Sequence, residues 1–187
     1  MSALALKRDD HCDRLGLKGP RAGEWLAAQG IVLPMAPNTW TYSQGTLAAD
    51  ALLVARLGTG EFFLEDGTDG TALKRISDSL EGRPPGVYPV LREDWAFHLG
   101  GEGVHDVLAQ VCNVNFAALS LGSNPLIMTL MIGVAVLVVP QSEAAGQDGA
   151  VGRQYRIWCD PSFGPYLGES LGAVVIECGG RYRGVSG

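Results

Sequence analysis

Histidine is the side chain most often used for acid–base chemistry near neutral pH, and this sequence has three, at positions 11, 98 and 105. His98 alternates with Phe97 and Leu99 in a predicted strand, so its side chain lies on the opposite face, toward solvent or toward a helix layer. His105 is followed by an acidic residue on a predicted helix, where adjacent side chains diverge. We therefore predict a structural or solvated role for His11, His98 and His105.

Four cysteines are the other candidates for metal or redox chemistry. None belongs to a C-x-x-C pair, so the spacing typical of a metal site is absent. Spacing alone does not exclude disulfide bonds, but residues 1–6 are too short for the apolar core of a secretory signal. Reduced thiols in a cytoplasmic protein are therefore expected, each packed as a small apolar side chain. The four are Cys12, Cys112, Cys159 and Cys178.

Other segments match no catalytic loop. Gly58-Thr59-Gly60 lacks the lysine and the following helix of a phosphate-binding loop. Ser120-Leu121-Gly122-Ser123 is a turn and not a G-x-S-x-G nucleophile elbow. Asn113 and Asn115 follow a predicted helix, where turn formation is the first interpretation and ligand contact the second. The sequence predicts neither a catalytic residue nor a metal ligand in this chain.

Composition describes a globular, acidic protein. The 187 residues are 47% hydrophobic and 18% charged, which suits one domain or two small packed halves. The net charge is −6 and basic residues do not cluster. Nucleic acid and anionic membranes are therefore disfavoured as partners, since both are bound through Lys/Arg surfaces.

Periodicity places one α/β half at residues 14–86 and a second at 87–172, with loose termini at 1–13 and 179–187. The predicted strands lie at 14–19, 39–43, 51–57, 61–65, 87–91, 95–99, 125–139 and 155–159. The first predicted helix begins at Pro20 and is ended by Gly30, and the second is capped by Thr71 and runs to about Leu80. Two further helices are predicted at 103–111 and 161–171. An exposed loop rich in glycine, alanine and acidic residues is predicted at 142–151.

The apolar segment 126–139 lies between Pro125 and Pro140 without a charged residue. It is shorter than the roughly 20 residues that a membrane-spanning helix needs, and its second part is β-branched. We predict one long buried strand with a bend or bulge at Gly133. A strand that is apolar on both faces must be covered on both, so one face should meet this chain's helices and the other a second domain or a partner subunit.

The order of elements repeats along the chain. Segment 15–27 matches segment 97–109 at a constant offset of 82, with alternating apolar residues, a glycine turn and an apolar helix in each. This pattern predicts an α+β fold of two packed split β-α-β, ferredoxin-like halves related by a pseudo-two-fold axis. Chance similarity of two strand–turn–helix segments is the alternative.

Three segments carry a family resemblance. Phe97-His98-Leu99-Gly100-Gly101 with the helix that follows resembles the strand, glycine turn and helix of glycine-cleavage T-protein-like domains, the folate-binding superfamily. Tyr155-Arg156-Ile157-Trp158-Cys159-Asp160 resembles the end of those domains and is most similar to gamma subunits of heterotetrameric sarcosine oxidases. Leu17-Lys18-Gly19-Pro20 also fits gamma subunits. The resemblance covers residues 14–171.

The resemblance implies a T-protein-like fold and a place in an enzyme that oxidises sarcosine or a related N-methyl amino acid. It implies tetrahydrofolate, FAD, FMN and NAD as cofactors of the complex, none held by this chain, and alpha and beta subunits as partners. This chain would be a non-catalytic assembly subunit, and in isolation it could form a homodimer through the partner-binding face. The alternative is a stand-alone T-protein-like folate or small-molecule binding protein, or an aminomethyltransferase-like enzyme.

The sequence differs from T-proteins at a ligand position. T-proteins carry, in the strand that reads here Tyr155-Arg156-Ile157, a glutamate that accepts hydrogen bonds from the pterin ring. Arg156 stands at that place and cannot accept hydrogen bonds. Tetrahydrofolate is therefore expected to bind the isolated chain weakly or not at all.

The resemblance also indicates residues that could line a ligand cavity. Arg92, Glu93 and Asp94 form a charged junction that lies near the ligand cavity in the family, although a solvated strand end is the alternative. Together with Asn113 and Arg156 they are the candidate ligand-binding residues.

Overall fold

A computed structural model describes residues 3–9, 11–44, 51–67, 70–142 and 153–184. The chain divides into two compact units. The central unit is His11–Glu93, and the terminal unit combines Met1–Asp10 with Asp94–Gly187. Both ends of the chain therefore contribute to the same unit.

The described elements follow one another in mixed α+β order. They are β1 (Ala5–Asp9), β2 (Arg14–Lys18), α1 (Ala22–Ala28), β3 (Thr39–Gln44), β4 (Ala51–Gly58), β5 (Glu61–Glu65), α2 (Thr71–Leu80), β6 (Tyr88–Leu91), β7 (Trp95–Gly100), α3 (Val104–Val111), β8 (Ile127–Met131), β9 (Val134–Ser142), β10 (Arg153–Cys159), α4 (Gly164–Glu177) and β11 (Arg181–Arg183).

The central unit has an antiparallel sheet with strand order β3-β4-β5-β2-β6. Alternate strand residues such as Leu17, Val54 and Leu64 pack against Leu26 of α1 and Ile76 of α2. Strand periodicity of two and helix periodicity of 3.6 place these apolar side chains on facing surfaces. The two helices therefore cover one face of the sheet.

The terminal unit has a sheet with strand order β11-β1-β7-β10-β9-β8. β11 pairs with β1 in parallel, and the other pairs are antiparallel. Leu6, Leu99 and Ile157 from neighbouring strands pack with Leu108 of α3 and Leu171 of α4. The hydrophobic core of this unit again lies between one sheet face and two helices.

The two sheets share one topology. In the central unit, β2-α1-β4-β5-α2-β6 with spatial order β6-β2-β5-β4 is a ferredoxin-like split β-α-β arrangement, with β3 added at one edge. In the terminal unit β7-α3-β9-β10-α4 repeats it, with β8 added at the corresponding edge. β1 lies beside β7 as β6 lies beside β2, and β11 extends that side. The fold is the α+β class predicted from the sequence.

The two strand–turn–helix segments also share a backbone requirement. Gly19 after β2 has φ 132° and Gly101 after β7 has φ 103°. A Cβ atom would lie 2.2 Å from the Gly86 oxygen at the first position and 2.4 Å from the Ala3 oxygen at the second. Glycine is therefore needed at both positions, 82 residues apart, because only glycine combines that φ with such close backbone approach.

The prediction of one long strand at 125–139 was wrong. β8 and β9 are antiparallel, with Met131 opposite Val134. Between them Ile132 has φ 49° and Gly133 has φ 80°, which is the two-residue type I′ turn of a tight hairpin. Gly133 therefore reverses the chain and does not merely bend it.

The terminal segments predicted to be loose, 1–13 and 179–187, contain strands in their described parts. β1 lies inside the sheet, between β11 and β7. Leu4 and Leu6 are buried in the core of the terminal unit because they alternate with residues of the opposite face. The charged residues around them hide this pattern in the sequence.

Other boundaries also differ from the sequence-based ones. Residues 87–93 belong to the central unit, where β6 pairs with β2. The last helix extends to Glu177 and not to residue 171. The loop predicted at 142–151 lies, from residue 143 onward, outside the described residues.

Three further observations apply to the described ranges only. No helix there is long and apolar enough to cross a membrane. No group of three or more His, Cys, Asp or Glu side chains within those ranges is arranged to hold a metal ion. The four cysteines all fall inside them, and no disulfide joins any two.

Candidate functional site

A buried charged cluster lies on the face of the terminal sheet opposite its hydrophobic core. The Asp9 oxygen Oδ2 accepts a hydrogen bond from Arg156 Nη1 at 2.8 Å and lies 3.1 Å from His98 Nε2. Arg156 Nη1 also contacts His98 Nε2. The side chains of Arg156 and Asp9 are 5% and 14% exposed, and that of His98 is 34% exposed. We name these three residues the Asp–His–Arg cluster.

Three neighbouring strands position this cluster. His98 on β7 lies opposite Lys7 of β1 on one side and opposite Arg156 of β10 on the other. Because strand side chains alternate between faces, Lys7, Asp9, His98 and Arg156 share one face. On the other face, neighbouring residues of the same strands such as Leu6, Leu99 and Ile157 belong to the hydrophobic core.

The electrostatics of the cluster are those of a structural ion pair. A buried charge is costly unless it is paired, and the Asp9 carboxylate supplies the opposite charge to Arg156. Arginine has only hydrogen-bond donors, so Arg156 offers no acceptor to a pterin ring. The Asp9 Oδ2 atom is already contacted by Arg156 and His98.

A shallow cavity of about 390 Å³ lies beside the cluster in the terminal unit. Lys7, His98 and Gln154 line it together with small residues of β1 and β7. The cavity therefore brings two nitrogen-bearing basic side chains and an amide to one place.

Arg92 and Glu93 line a cavity of about 410 Å³ in the central unit. Its wall includes Arg14, which forms a buried salt bridge of 2.6 Å with Glu65. The Arg92 guanidinium lies 5.5 Å from the centre of the Phe63 ring, a cation–π distance. Charges of both signs line this cavity, so it does not select a ligand by net charge.

The remaining candidates lie at other places in the terminal unit. Asp94 lies near the Cys159 thiol, whose pKa is raised to about 11 by burial and then by the negative charges of Asp94 and Asp160. Such a thiol is protonated and unreactive near pH 7. Asn113 is exposed directly after α3. Asp94, Asn113 and Arg156 thus occupy three different positions.

A histidine–tyrosine contact links α3 to β10. His105 Nε2 lies 2.7 Å from the Tyr155 hydroxyl oxygen. Burial lowers the pKa of His105, and Arg153 acts in the same direction while Asp106 opposes it. Burial raises the pKa of Tyr155, against a smaller effect of Arg153. Both groups are therefore predominantly neutral at pH 7, which suits a structural hydrogen bond.

Sequence reasoning found Arg156 but neither of its two partners. Asp9 lies 147 residues away from Arg156 in the chain, in a segment predicted to be loose. The usable signal was limited to Leu4 and Leu6, which are spaced two residues apart as on one face of a strand, and the charged residues 7–9 do not continue that pattern. The sequence correctly indicated that the His98 side chain lies on the face opposite Phe97 and Leu99, but it did not indicate the contacts of His98 with Asp9 and Arg156.

Comparison with known proteins identifies the fold. No protein-family model and no curated protein matches this sequence. The chain is similar to a chain of the heterotetrameric sarcosine oxidase from Corynebacterium sp. U-96 in complex with pyrrole 2-carboxylate, at 23% identity and a TM-score of 0.68, over 97% of this chain and 87% of that one.

A second solved structure is the glycine cleavage system aminomethyltransferase T from Bartonella henselae. It is 18% identical, with a TM-score of 0.65 over 91% of this chain. This chain spans 45% of the length of that aminomethyltransferase. With the two ferredoxin-like sheets, these similarities show that the chain has a T-protein-like fold.

Proposed function

We propose that this chain is a non-catalytic, gamma-type subunit of a cytoplasmic heterotetrameric oxidase of sarcosine or a related N-methyl amino acid. One observation carries the proposal: 97% of this chain matches 87% of a chain of a heterotetrameric sarcosine oxidase. In contrast, this protein spans only 45% of the length of the aminomethyltransferase. Because the length of this chain agrees with that of the oxidase chain and not with that of the aminomethyltransferase, the comparison favours a subunit over a stand-alone transferase.

The contacts of the polar side chains support a non-catalytic role. Arg156 is held by Asp9 and offers no acceptor for a pterin. The Cys159 thiol stays protonated near neutral pH because burial raises its pKa to about 11. The His105–Tyr155 hydrogen bond joins two neutral groups. Each of these side chains is explained by the packing of the terminal unit.

In this proposal the chemistry belongs to the partners. The alpha and beta subunits bind FAD, FMN and NAD and transfer the released one-carbon unit to tetrahydrofolate, while this chain supports their assembly. Its own contribution is a surface that the larger subunits cover.

The β8–β9 hairpin offers such a surface. Met128 and Leu130 on β8 are 55% and 59% exposed, and they lie opposite Leu137 and Ala135 of β9. These four side chains share the hairpin face that turns away from the hydrophobic core and carry no charge. Burying about 400 Å² of apolar surface there would contribute on the order of 10 kcal/mol before the entropy of association is subtracted.

Co-expression with alpha and beta subunits of such an oxidase, sought among the products of the neighbouring genes, tests the proposal. We expect the wild-type chain to co-elute with them in size-exclusion chromatography with light scattering. Met128→Glu with Leu130→Glu should abolish co-elution, whereas Met35→Glu should not, because Met35 is 98% exposed and lies in the central unit. A wild-type chain that remains a monomer beside every neighbour would exclude the subunit role.

Calorimetric titration with folinic acid tests the alternative. We expect weak binding or none to the isolated chain, since an arginine occupies the position of the pterin acceptor. A micromolar dissociation constant would favour a stand-alone folate-binding protein and would show that another carboxylate anchors the pterin.

A further inference from the structure

The shallow cavity beside the Asp–His–Arg cluster has no part in the proposed function. Its floor lies where Ala5 of β1 and Gly100 of β7 face each other across the strand pair. Neither residue has a side chain beyond Cβ, so space opens between Lys7 and His98 on one side and Gln154 on the other. A volume of about 390 Å³ is within the size of small-molecule sites.

The polar groups around this cavity are suited to an anion. Lys7 contributes an exposed ammonium group, His98 an imidazole and Gln154 a side-chain amide. The described residues that line the cavity include no Asp or Glu. Behind His98, the negative charge of Asp9 is compensated by Arg156, so the Lys7 charge leaves the surroundings positive.

We propose that this cavity binds a small monocarboxylate. The carboxylate pairs with the Lys7 ammonium group and accepts hydrogen bonds from the Gln154 amide and the His98 ring, while its short apolar part lies on Ala3 and Ala5. An α-amino acid is disfavoured, because its own ammonium group would meet Lys7 without a carboxylate in the lining. The ligand is therefore an acid that lacks an amine.

A titration followed by two-dimensional ¹⁵N NMR, on the full chain, tests this proposal with four matched probes. Butyrate should give saturable shifts at the backbone amides of Lys7, His98, Gly100 and Gln154. Butyramide, which has the same shape without the charge, should bind at least tenfold more weakly, and so should 2-aminobutyrate. Inorganic phosphate binding as tightly as butyrate would overturn the assignment to carboxylates.

Two substitutions locate the site. Lys7→Met should weaken butyrate binding at least tenfold, and Lys18→Met should leave it unchanged, since Lys18 is a half-exposed strand lysine of the central unit. Gly100→Val should block binding by displacing the Gln154 side chain, because a Cβ at position 100 would lie 2.9 Å from Gln154 Cγ. Thermal unfolding checks that each variant is folded. Absence of saturable shifts in the wild type, or undiminished binding by folded Lys7→Met, would overturn the proposal.

Discussion

Arg156 is the residue whose role changes most between family expectation and structure. Its replacement by methionine would leave the Asp9 carboxylate, 14% exposed, without the guanidinium that compensates it. We expect Arg156→Met to lower the free energy of unfolding by about 3–5 kcal/mol, as for other buried pairs that lose one partner. Urea denaturation measures this change.

Two further variants test whether the loss of stability in Arg156→Met comes from the broken ion pair with Asp9. Arg21→Met is the matched control, because Arg21 and Glu24 are 63% and 77% exposed and their pair should contribute less than about 1 kcal/mol. Adding Asp9→Asn to Arg156→Met should recover part of the loss, since no buried charge then remains unpaired. Equal effects of Arg156→Met and Arg21→Met would contradict the buried ion pair.

Cys159 provides a prediction about pH. Burial disfavours the charged thiolate and raises the pKa to about 11, so roughly one thiol in a thousand is ionised at pH 8. The rate of Cys159 alkylation by iodoacetamide should therefore rise about tenfold per pH unit between pH 8 and 10 and level off only above about pH 11. Peptide mass spectrometry separates this thiol from the other three. A rate that levels off below pH 9 would contradict the burial argument.

At the scale of elements, the β8–β9 hairpin depends on the backbone of its turn. Gly133 has φ 80°, and a Cβ atom there would meet nothing within 4 Å. The cost of Gly133→Ala is therefore conformational alone, and we expect a loss of about 1–2 kcal/mol in the free energy of unfolding. Gly58→Ala is the control, because φ is not positive there and its Cβ would contact only Glu61, at 3.7 Å. Chemical denaturation of both variants should show a loss for the first alone.

Because Gly19 and Gly101 occupy corresponding positions in the two strand–turn–helix segments, we expect their replacement by alanine to destabilise the protein to a similar extent. Alanine at Gly19 or Gly101 would combine a positive φ with a Cβ less than 2.5 Å from a carbonyl oxygen. Each substitution should cost more than about 3 kcal/mol, since backbone strain and steric overlap add. Gly103→Ala, with φ 80° and its nearest contact at 3.8 Å, should cost only about 1 kcal/mol. Tolerance at one of the two positions, measured by thermal unfolding, would contradict the repeat.

At the scale of the whole molecule, the terminal unit needs both ends of the chain. Deletion of residues 1–9 would remove a strand from inside the sheet, together with Leu4, Leu6 and Asp9. We expect the amides of β7 and β10 to lose protection in hydrogen exchange. Deletion of residues 181–187, which removes the edge strand β11, should have a smaller effect. Unchanged protection of β7 after the first deletion would show that β1 is dispensable.

The sequence by itself determined the local elements and their repetition. The helix predicted to follow a Thr71 cap and to run to about Leu80 is observed at Thr71–Leu80 with Gly70 as its N-cap, and the strand–glycine–helix segments at an offset of 82 were recognised. Both depend on periodicity and on glycine, which act over a few residues. The same local information led from the repeat to the α+β fold class and to the T-protein-like resemblance.

The tertiary structure alone decided what lies far apart in the chain. The pairing of β1 with β7 and β11 turned a charged N-terminal segment into an inner strand. It also brought Asp9 to Arg156 across 147 residues and placed Lys7 beside His98 at the edge of a cavity. Strand pairing joins segments through backbone hydrogen bonds that any residue except proline can make. The side chains of a short strand therefore do not specify its neighbours, and the site follows only from the complete sheet.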